Sequence, residues 1–335
     1  MKNKIITITF LIYIVSFSIL GIIIKDKEIS VSERRNLSKF PEYTLNGEYV
    51  NKLHKYLLDH FPFRDDFRSL KANFNYNIFK KLDNNGIYLY DGYIFKSEYP
   101  TDKKSVSNFI NKINKIKSNL TENNNIYMLI IPDKNYYLTS DNFLQIDYEY
   151  IYNSAEELNI NTIDIRNIME LKDYYETDTH WRQEKLDKVV KQLDSVMNFN
   201  YQRISYQENK YDKFYGVYYG ESAINRDPEE IIYLTNKSIN NLRVEYLENK
   251  QLHSIYNIEN LSSLDSYEIY LDGASSFIEI YNDNSTSEKE LVIFRDSFSS
   301  SLAPLLIEHY SKITLIDIRY INSESYLKKI KFNNY

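Results

Sequence analysis

The chain has 335 residues, 43% of them hydrophobic, which is enough for one large domain with a packed core. Its formal net charge is −6, with 41 Lys and Arg against 47 Asp and Glu and only short Lys/Arg pairs, so the composition argues against a nucleic-acid partner. The sequence contains no cysteine, which excludes disulfides, thiol catalysis and cysteine-ligated metal sites.

The first predicted element is an uncharged run from Ile5 to Ile24. Twenty residues rising ~1.5 Å each can cross a bilayer. The run is longer than the core of a signal peptide, and "SFS" inside it is a weak cleavage site, so we predict an uncleaved membrane anchor over residues 1–25. Basic residues are more numerous after the run than before it, a count that places the body in the cytoplasm: Lys25, Lys27, Arg34 and Arg35 against Lys2 and Lys4.

Residues 26–85 are predicted to form a helical neck. A turn is expected between Phe40 and Gly47. Apolar residues then recur at helical spacing from Val50 to Phe61, until Pro62 interrupts the pattern.

Residues 86–335 alternate between strand and helix patterns, which predicts an α/β domain with a parallel sheet and helices on both faces, a three-layer arrangement. The expected elements are a hairpin in "GIYLYDGYIF", an amphipathic helix from Val106 to Leu120, the strand "IYMLII" at 126–131 and a short strand from Thr162 to Ile165. The clearest βαβ unit follows near the end, with strands Leu291–Phe294 and Ile313–Ile318 around a helix. Residues 198–285 lack a clear period and are predicted to form an irregular excursion.

The sequence contains no motif typical of nucleotide-binding or metalloprotease sites. The seven glycines form neither G-x-G-x-x-G nor G-x-x-x-x-G-K, and H-E-x-x-H does not occur. Nucleophile chemistry is therefore the enzyme class worth testing.

Asp178 and His180 stand two residues apart in "YETDTHWRQEK". On a regular helix they would point about 200° apart, so they can converge only in a turn or extended segment. A helix is expected from Leu186 to Met197, which places the pair on the loop before it. There an aspartate can orient a histidine whose other ring nitrogen faces a nucleophile. A capping aspartate beside a surface histidine is the equally open alternative.

Ser297 lies in "VIFRDSFSSSLAP", where a predicted strand ends and a helix begins. The hydroxyl is thus expected at the carboxyl end of a parallel strand, near helix N–H groups that can stabilise an oxyanion. The alternative is that Ser297 and Ser299–Ser301 only cap the helix. A serine and a separate Asp-x-His together supply the three roles of an acyl-transfer site.

The segments "TDTHW" and "FRDSF", in this order, resemble the DHHW family, which is related to the alginate O-acetylation proteins and to the wider SGNH hydrolase-like group. Further stretches resemble the family: "SERRNLSKFPEYT", "LLDHFPFRDDF", "GIYLYDGYIF", "IPDK", "FYGVYYGESA" and "SLAPLLIEHYSKITLIDIRYI". The resemblance covers nearly the whole chain after the anchor.

By position, the resemblance implies Ser297 as nucleophile, His180 as general base and Asp178 as its orienting partner, with Asp296 bracing the turn. Thr179 replaces the first histidine of the name motif. Weaker candidates for substrate or oxyanion contacts are Lys134 in "IPDK", Trp181, Arg295 where many SGNH enzymes have glycine, Gly273 and Gly220.

The expected function is that of a membrane-anchored, extracytoplasmic O-acyl transferase or esterase, acting on acetyl groups of a cell-envelope or secreted polysaccharide without metal or cofactor. Relatives suggest a membrane-bound acyl-handing partner. A non-catalytic polysaccharide-binding or envelope-assembly protein of the same fold is the alternative, because fold alone does not define function.

Overall fold

The computed structural model describes residues 2–45, 47–120, 124–140, 142–247 and 252–320, and the last residues of the predicted domain, 321–335, lie outside this part. Its helices are α1 (Lys2–Ile23), α2 (Gly47–Asp59), α3 (Arg64–Asn73), α4 (Lys103–Lys117), α5 (Tyr148–Glu156), α6 (Asp187–Met197), α7 (Val217–Ser222) and α8 (Ser299–Leu306). Its strands are β1 (Ile29–Ser30), β2 (Arg35–Asn36), β3 (Asp83–Asn84), β4 (Ile87–Tyr90), β5 (Tyr93–Lys96), β6 (Tyr127–Ile130), β7 (Asn161–Asp164), β8 (Gln207–Phe214), β9 (Glu229–Thr235), β10 (Arg243–Tyr246), β11 (Leu252–His253), β12 (Phe277–Tyr281), β13 (Glu290–Arg295) and β14 (Lys312–Asp317).

The chain divides into two compact units, residues 1–88 with 217–226 and residues 89–216 with 227–335. The first unit contains α1, which is long and apolar enough to cross a membrane. Two helices, α2 and α3, follow on either side of Pro62, as the interruption of the helical pattern predicted.

An ion pair joins two parts of the segment 26–85 in the first unit; this segment keeps the name neck below, and its being a separate helical neck stays a prediction. Arg35 donates to both carboxylate oxygens of Asp59, at 3.1 and 2.5 Å, and Ser38 donates to the same group from its backbone N–H and its hydroxyl. The Arg35 guanidinium, together with the Ser38 donors, lowers the pKa of Asp59. Two of the stretches that resemble the DHHW family, "SERRNLSKFPEYT" and "LLDHFPFRDDF", are thus joined by these contacts.

The second unit is built around a five-stranded sheet in the order β11-β10-β12-β14-β13. Strands β13 and β14 run parallel with α8 between them, which confirms the predicted βαβ unit, and the other neighbours are antiparallel. Strands β6 and β7 form a separate parallel pair, and β8 pairs with β9. Residues of both β6 and β13 line one largely apolar cavity of about 740 Å³.

The fold is therefore mixed α/β, and one continuous parallel sheet in three layers stays a prediction. The segment 198–285 is more regular than predicted, since it contributes β8 to β12. In β12 the side chains of Ile278 and Ile280 are buried while their neighbours are only partly buried. This alternation spans five residues between long loops, which is too short to stand out in a pattern search.

Candidate functional site

The segment from Tyr174 to Trp181, called here the DTH loop, is a closed turn. An antiparallel bridge joins Tyr174 to Trp181, and the Tyr175 N–H donates to the His180 carbonyl at 3.1 Å. The α-helix that follows begins only at Asp187. Asp178 and His180 are thus held in the non-helical geometry that lets side chains two residues apart converge.

The structure brings three side chains into one hydrogen-bonded sequence. His180 Nδ1 lies 2.6 Å from Asp178 Oδ1, and His180 Nε2 lies 2.8 Å from Ser297 Oγ. Asp178 is almost fully buried, His180 is nearly so, and Ser297 is half-buried. With the carboxylate accepting from Nδ1, Nε2 is left to accept the Ser297 proton, which is the arrangement that activates a hydroxyl.

Aromatic side chains fix the plane of the His180 ring. Tyr267 stacks on it with centroids 3.8 Å apart and an angle of 8°, and Phe298 contacts it at 4.9 Å. The indole N–H of Trp181 donates to the Phe298 carbonyl at 3.1 Å and to Ser301 Oγ at 2.9 Å. Trp181, a candidate for substrate contact, instead ties the DTH loop to the turn that carries the serine.

Lys134 lies under the DTH loop and is fully buried. Its ammonium group donates to the carbonyl oxygens of Tyr175, Glu176 and Asp178 at 3.0, 3.1 and 2.7 Å. Burial lowers the pKa of Lys134 to about 8. The side chain therefore shapes the backbone that carries Asp178.

A carboxylate holds the same loop by its N–H groups. Glu229 accepts from the backbone N–H of Glu176 at 2.9 Å and of Thr177 at 2.8 Å, and also from the Thr177 hydroxyl. Arg182 donates to Glu229 at 2.7 Å. The positively charged Lys134 thus binds carbonyl groups of the DTH loop, and the negatively charged Glu229 binds N–H groups of the same loop.

Gly216 approaches the DTH loop so closely that a side chain would not fit between them. A Cβ on Gly216 would lie 2.3 Å from the Thr177 carbonyl carbon and oxygen and 2.4 Å from Asp178 Cβ. Its N–H donates to the Thr177 hydroxyl at 2.8 Å. Only glycine fits this approach to the backbone next to Asp178.

The turn with Ser297 joins β13 to α8. The exposed carboxylate of Asp296 accepts from the Phe298 N–H at 3.0 Å, in keeping with a bracing role. Arg295 is buried and donates to Ser300 Oγ at 2.7 Å, so it supports the first turn of α8 from the protein side. Burial lowers the pKa of Arg295.

The two glycines proposed as oxyanion donors have local contacts in the structure, and their oxyanion role stays a prediction. The Gly273 N–H donates to the Tyr270 carbonyl at 3.3 Å within its own turn, where its φ is +79°. Gly220 belongs to the first unit, where a Cβ would meet the Ser32 carbonyl at 1.4 Å and where its own carbonyl accepts from Arg68. A glycine is required at Gly220 by close packing and is favoured at Gly273 by the positive φ of its turn. A sequence pattern cannot distinguish such requirements from an oxyanion role.

Tyr267, Glu229 and Gly216 were not predicted as site residues. Tyr267 is one of 33 tyrosines, and Glu229 is one of many acidic residues. Gly216 lies in "FYGVYYGESA", a stretch that resembles the DHHW family. That resemblance was the one sequence signal that could have identified it as a site residue.

Comparison with known proteins shows similarity of fold. No protein-family model and no curated protein matches the chain. The structure of a DHHW family protein from Eubacterium siraeum is similar with a TM-score of 0.63 and 19% identity, over 74% of this chain and 88% of that one. Bacillus cereus PatB1 with a sulfonyl adduct gives a TM-score of 0.59 at 19% identity, over 72% and 90%. A second PatB1 structure gives 0.56 at 16%, over 75% and 93%. The relation to the DHHW family expected from the sequence is confirmed at the level of fold.

Proposed function

We propose that this protein is a serine-dependent O-acyl transferase or esterase, with Ser297 as nucleophile, His180 as general base and Asp178 as the partner that orients the imidazole. The observation that carries the proposal is the sequence of hydrogen bonds from Ser297 through His180 to Asp178. These three groups sit at a strand end and a loop, where nucleophile sites form in α/β proteins.

In the proposed reaction, His180 Nε2 takes the proton of Ser297 as Oγ attacks the acyl carbonyl carbon. The backbone N–H of Ser297 helps to stabilise the oxyanion of the tetrahedral intermediate. Collapse of this intermediate breaks the bond to the alcohol, which leaves with the proton held by His180. A sugar hydroxyl or water then gives its proton to His180, attacks the acyl-enzyme and restores Ser297.

The proposed substrate is a cell-envelope or secreted polysaccharide, which is the acetyl ester in the esterase version and the acceptor of the acetyl group in the transferase version. Support comes from the resemblance to proteins related to alginate O-acetylation and from an N-terminal helix that is long enough to anchor the chain in a membrane. The body would lie outside the cytoplasm, and a membrane-bound acyl-handing protein would supply the acetyl group in the transferase version.

A second candidate is a polysaccharide-binding or envelope-assembly protein without turnover. It is favoured by one observation: the N–H of Gly273, one of the two glycines named as oxyanion candidates, already donates within its own turn.

A sulfonyl fluoride separates the two candidates. An activated serine displaces fluoride from sulfur and retains the sulfonyl group, and this cysteine-free chain has no thiol to compete. The full-length chain in detergent is treated and its intact mass is measured. We expect one adduct, lost in Ser297→Ala and kept in Ser299→Ala, the matched control two residues away.

Hydrolysis of a chromogenic acetyl ester is measured on the same three proteins. Labelling and turnover that both disappear only in Ser297→Ala support the enzyme. Unlabelled, inactive wild type with a normal circular dichroism spectrum supports the binding protein.

Membrane orientation is tested with a cysteine placed on the surface of the body, at the exposed Lys237. We expect Lys237→Cys in intact cells to react with a membrane-impermeant maleimide. Protection until the cells are lysed would instead agree with the count of basic residues around the anchor and would remove envelope polysaccharides as substrates.

A further inference from the structure

Helix α3 of the neck, Arg64–Asn73, and the π-helical turn Phe74–Ile78 that continues it expose one apolar side. The residues at helical spacing on this side are called here the neck stripe: Phe63, Phe67, Leu70, Phe74 and Ile78. Their exposed fractions range from 37% for Phe67 to 61% for Ile78, whereas Ala72 and Asn75, which lie outside the stripe, are 0% and 8% exposed. A helix in a water-soluble domain normally buries the apolar side, so this orientation is inverted.

Polar contacts hold α3 in this orientation. Arg64 pairs with Glu33 at 2.7 Å, and Arg68 contacts the same carboxylate at 3.4 Å and donates to the Gly220 carbonyl at 2.9 Å. These guanidinium groups lower the pKa of Glu33 against the effect of its burial. Turning the stripe inward would separate these charges, so its exposure is part of the folded structure of the first unit.

The stripe is continuous with the predicted membrane anchor. Phe17 of α1 stacks on Phe61 with centroids 5.4 Å apart, and each of these rings lies 5.8 Å from Phe67. Phe17 precedes the end of α1 by six residues, which is about 9 Å along a helix axis. One end of the stripe is therefore in contact with a residue inside the apolar span.

We propose that the neck stripe is a lipid-binding surface and that α3 lies in the interfacial layer of the membrane crossed by α1. Helices of this kind insert an apolar face ~5–10 Å into the boundary between headgroups and acyl chains, a depth that agrees with the level of Phe17 on α1. Asp66 and Lys71 are exposed beside the stripe and can remain among the headgroups. The proposal requires α1 to cross the membrane and does not depend on the chemistry of Ser297.

The absence of cysteine allows single spin labels to be placed without other changes. Phe67→Cys, Leu70→Cys and Phe74→Cys are labelled in the full-length chain, one chain per nanodisc, in phosphatidylcholine with phosphatidylglycerol. Asp66→Cys and Lys71→Cys are matched controls on the same helix, and Lys237→Cys is a control on the body. Collisions of each label with oxygen, which concentrates in lipid, and with a water-soluble nickel complex are measured by electron paramagnetic resonance.

We expect the ratio of oxygen to nickel collisions to rise at positions 67, 70 and 74 relative to position 237, with intermediate values at 66 and 71. Equal ratios at all positions would place the stripe in water and overturn the proposal. Labels at the stripe that neither reagent reaches would show it covered by protein, which would also overturn it. Normal circular dichroism of each variant establishes that these outcomes concern the folded chain.

Discussion

The chain contains two aspartate–histidine pairs that look alike in sequence and differ in their surroundings. In the neck, Asp59 and His60 are adjacent, and in the DTH loop Asp178 and His180 are two residues apart. His60 Nε2 contacts the Ser38 carbonyl at 2.8 Å and its Nδ1 lies 3.4 Å from Asp26, so both nitrogens face fixed acceptors.

His180 differs from His60 in one partner. One of its nitrogens faces the hydroxyl of Ser297 at the end of a strand. The Asp59 carboxylate accepts hydrogen bonds from Arg35 and Ser38. The Asp178 carboxylate instead accepts from the backbone N–H and the ring of His180. The partner of the second ring nitrogen, and not the proximity of an aspartate, therefore distinguishes His180 from His60.

The largest difference is expected between the two histidines. His180→Ala should lower kcat/KM for the chromogenic ester by ~10⁴-fold or more, because members of such a hydrogen-bonded unit act together. His60→Ala should leave kcat/KM nearly unchanged in the folded protein. Steady-state kinetics on both full-length variants measures the contrast, and equal losses would end the distinction.

Substitutions of the two aspartates should affect different properties, turnover for Asp178 and stability for Asp59. Asp178→Asn places an amide beside His180 Nδ1 and favours the wrong tautomer, a change for which a loss of ~10⁴-fold in kcat has precedent in this kind of site. Asp59→Asn should instead cost about 1–3 kcal/mol of unfolding free energy through its weakened contacts with Arg35 and Ser38. Kinetics and urea unfolding are measured in parallel, and a stable, fully active Asp178→Asn would contradict the assigned role.

Two glycines give a smaller contrast. Gly216→Ala forces a Cβ against the backbone at Thr177 and should move the DTH loop, where a displacement of about 1 Å can cost ~10²-fold in rate. Gly47→Ala is the control, since a Cβ there meets nothing within 4 Å. Kinetic measurement of both variants is decisive: if Gly216→Ala is as active as Gly47→Ala, the glycine does not shape the loop.

The last contrast is a pH dependence of stability caused by Lys134. Its folded pKa of about 8 is below the ordinary value of 10.5, so between these values the unfolded chain binds a proton that the folded chain does not. The free energy of unfolding should therefore rise with pH across this range, by up to ~3 kcal/mol relative to Lys134→Met. Arg35 in the neck, whose pKa is raised by its hydrogen bond to Asp59, should give no such rise.

The measurement is urea unfolding of wild type, Lys134→Met and Arg35→Met at several pH values. If the free energies of unfolding of wild type and Lys134→Met change in parallel from pH 8 to 10.5, burial does not destabilise the Lys134 ammonium and the prediction is wrong.

The sequence was most informative where a pattern is local. The strands around α8 follow from runs of apolar residues, and the spacing of Asp178 and His180 before a helix allowed their convergence, with a capping aspartate beside a surface histidine equally open. The supports of the DTH loop could not be predicted in this way. Lys134 and Glu229 reach the loop from positions more than 40 residues distant in the chain, and no periodicity marks a side chain that bonds backbone groups so far away. The order of the strands is equally non-local, because β12 joins β14 across the segment that contains the serine turn.

The neck stripe shows a second limit of pattern reasoning. The apolar spacing of α2 and α3 predicts helices, but it does not indicate whether the apolar side faces protein or lipid. That choice depends on Glu33, which lies about thirty residues before the guanidinium groups it binds.

The hydrogen bonds of Trp181 have a practical consequence for optical spectroscopy. The only indole of the chain spans the gap between the DTH loop and the first turn of α8. Selective excitation of tryptophan, which avoids the 33 tyrosines, therefore reports on this one spot. Any ligand that shifts the loop against the helix will alter the emission, so the protein carries an intrinsic fluorophore at the place where its chemistry is expected.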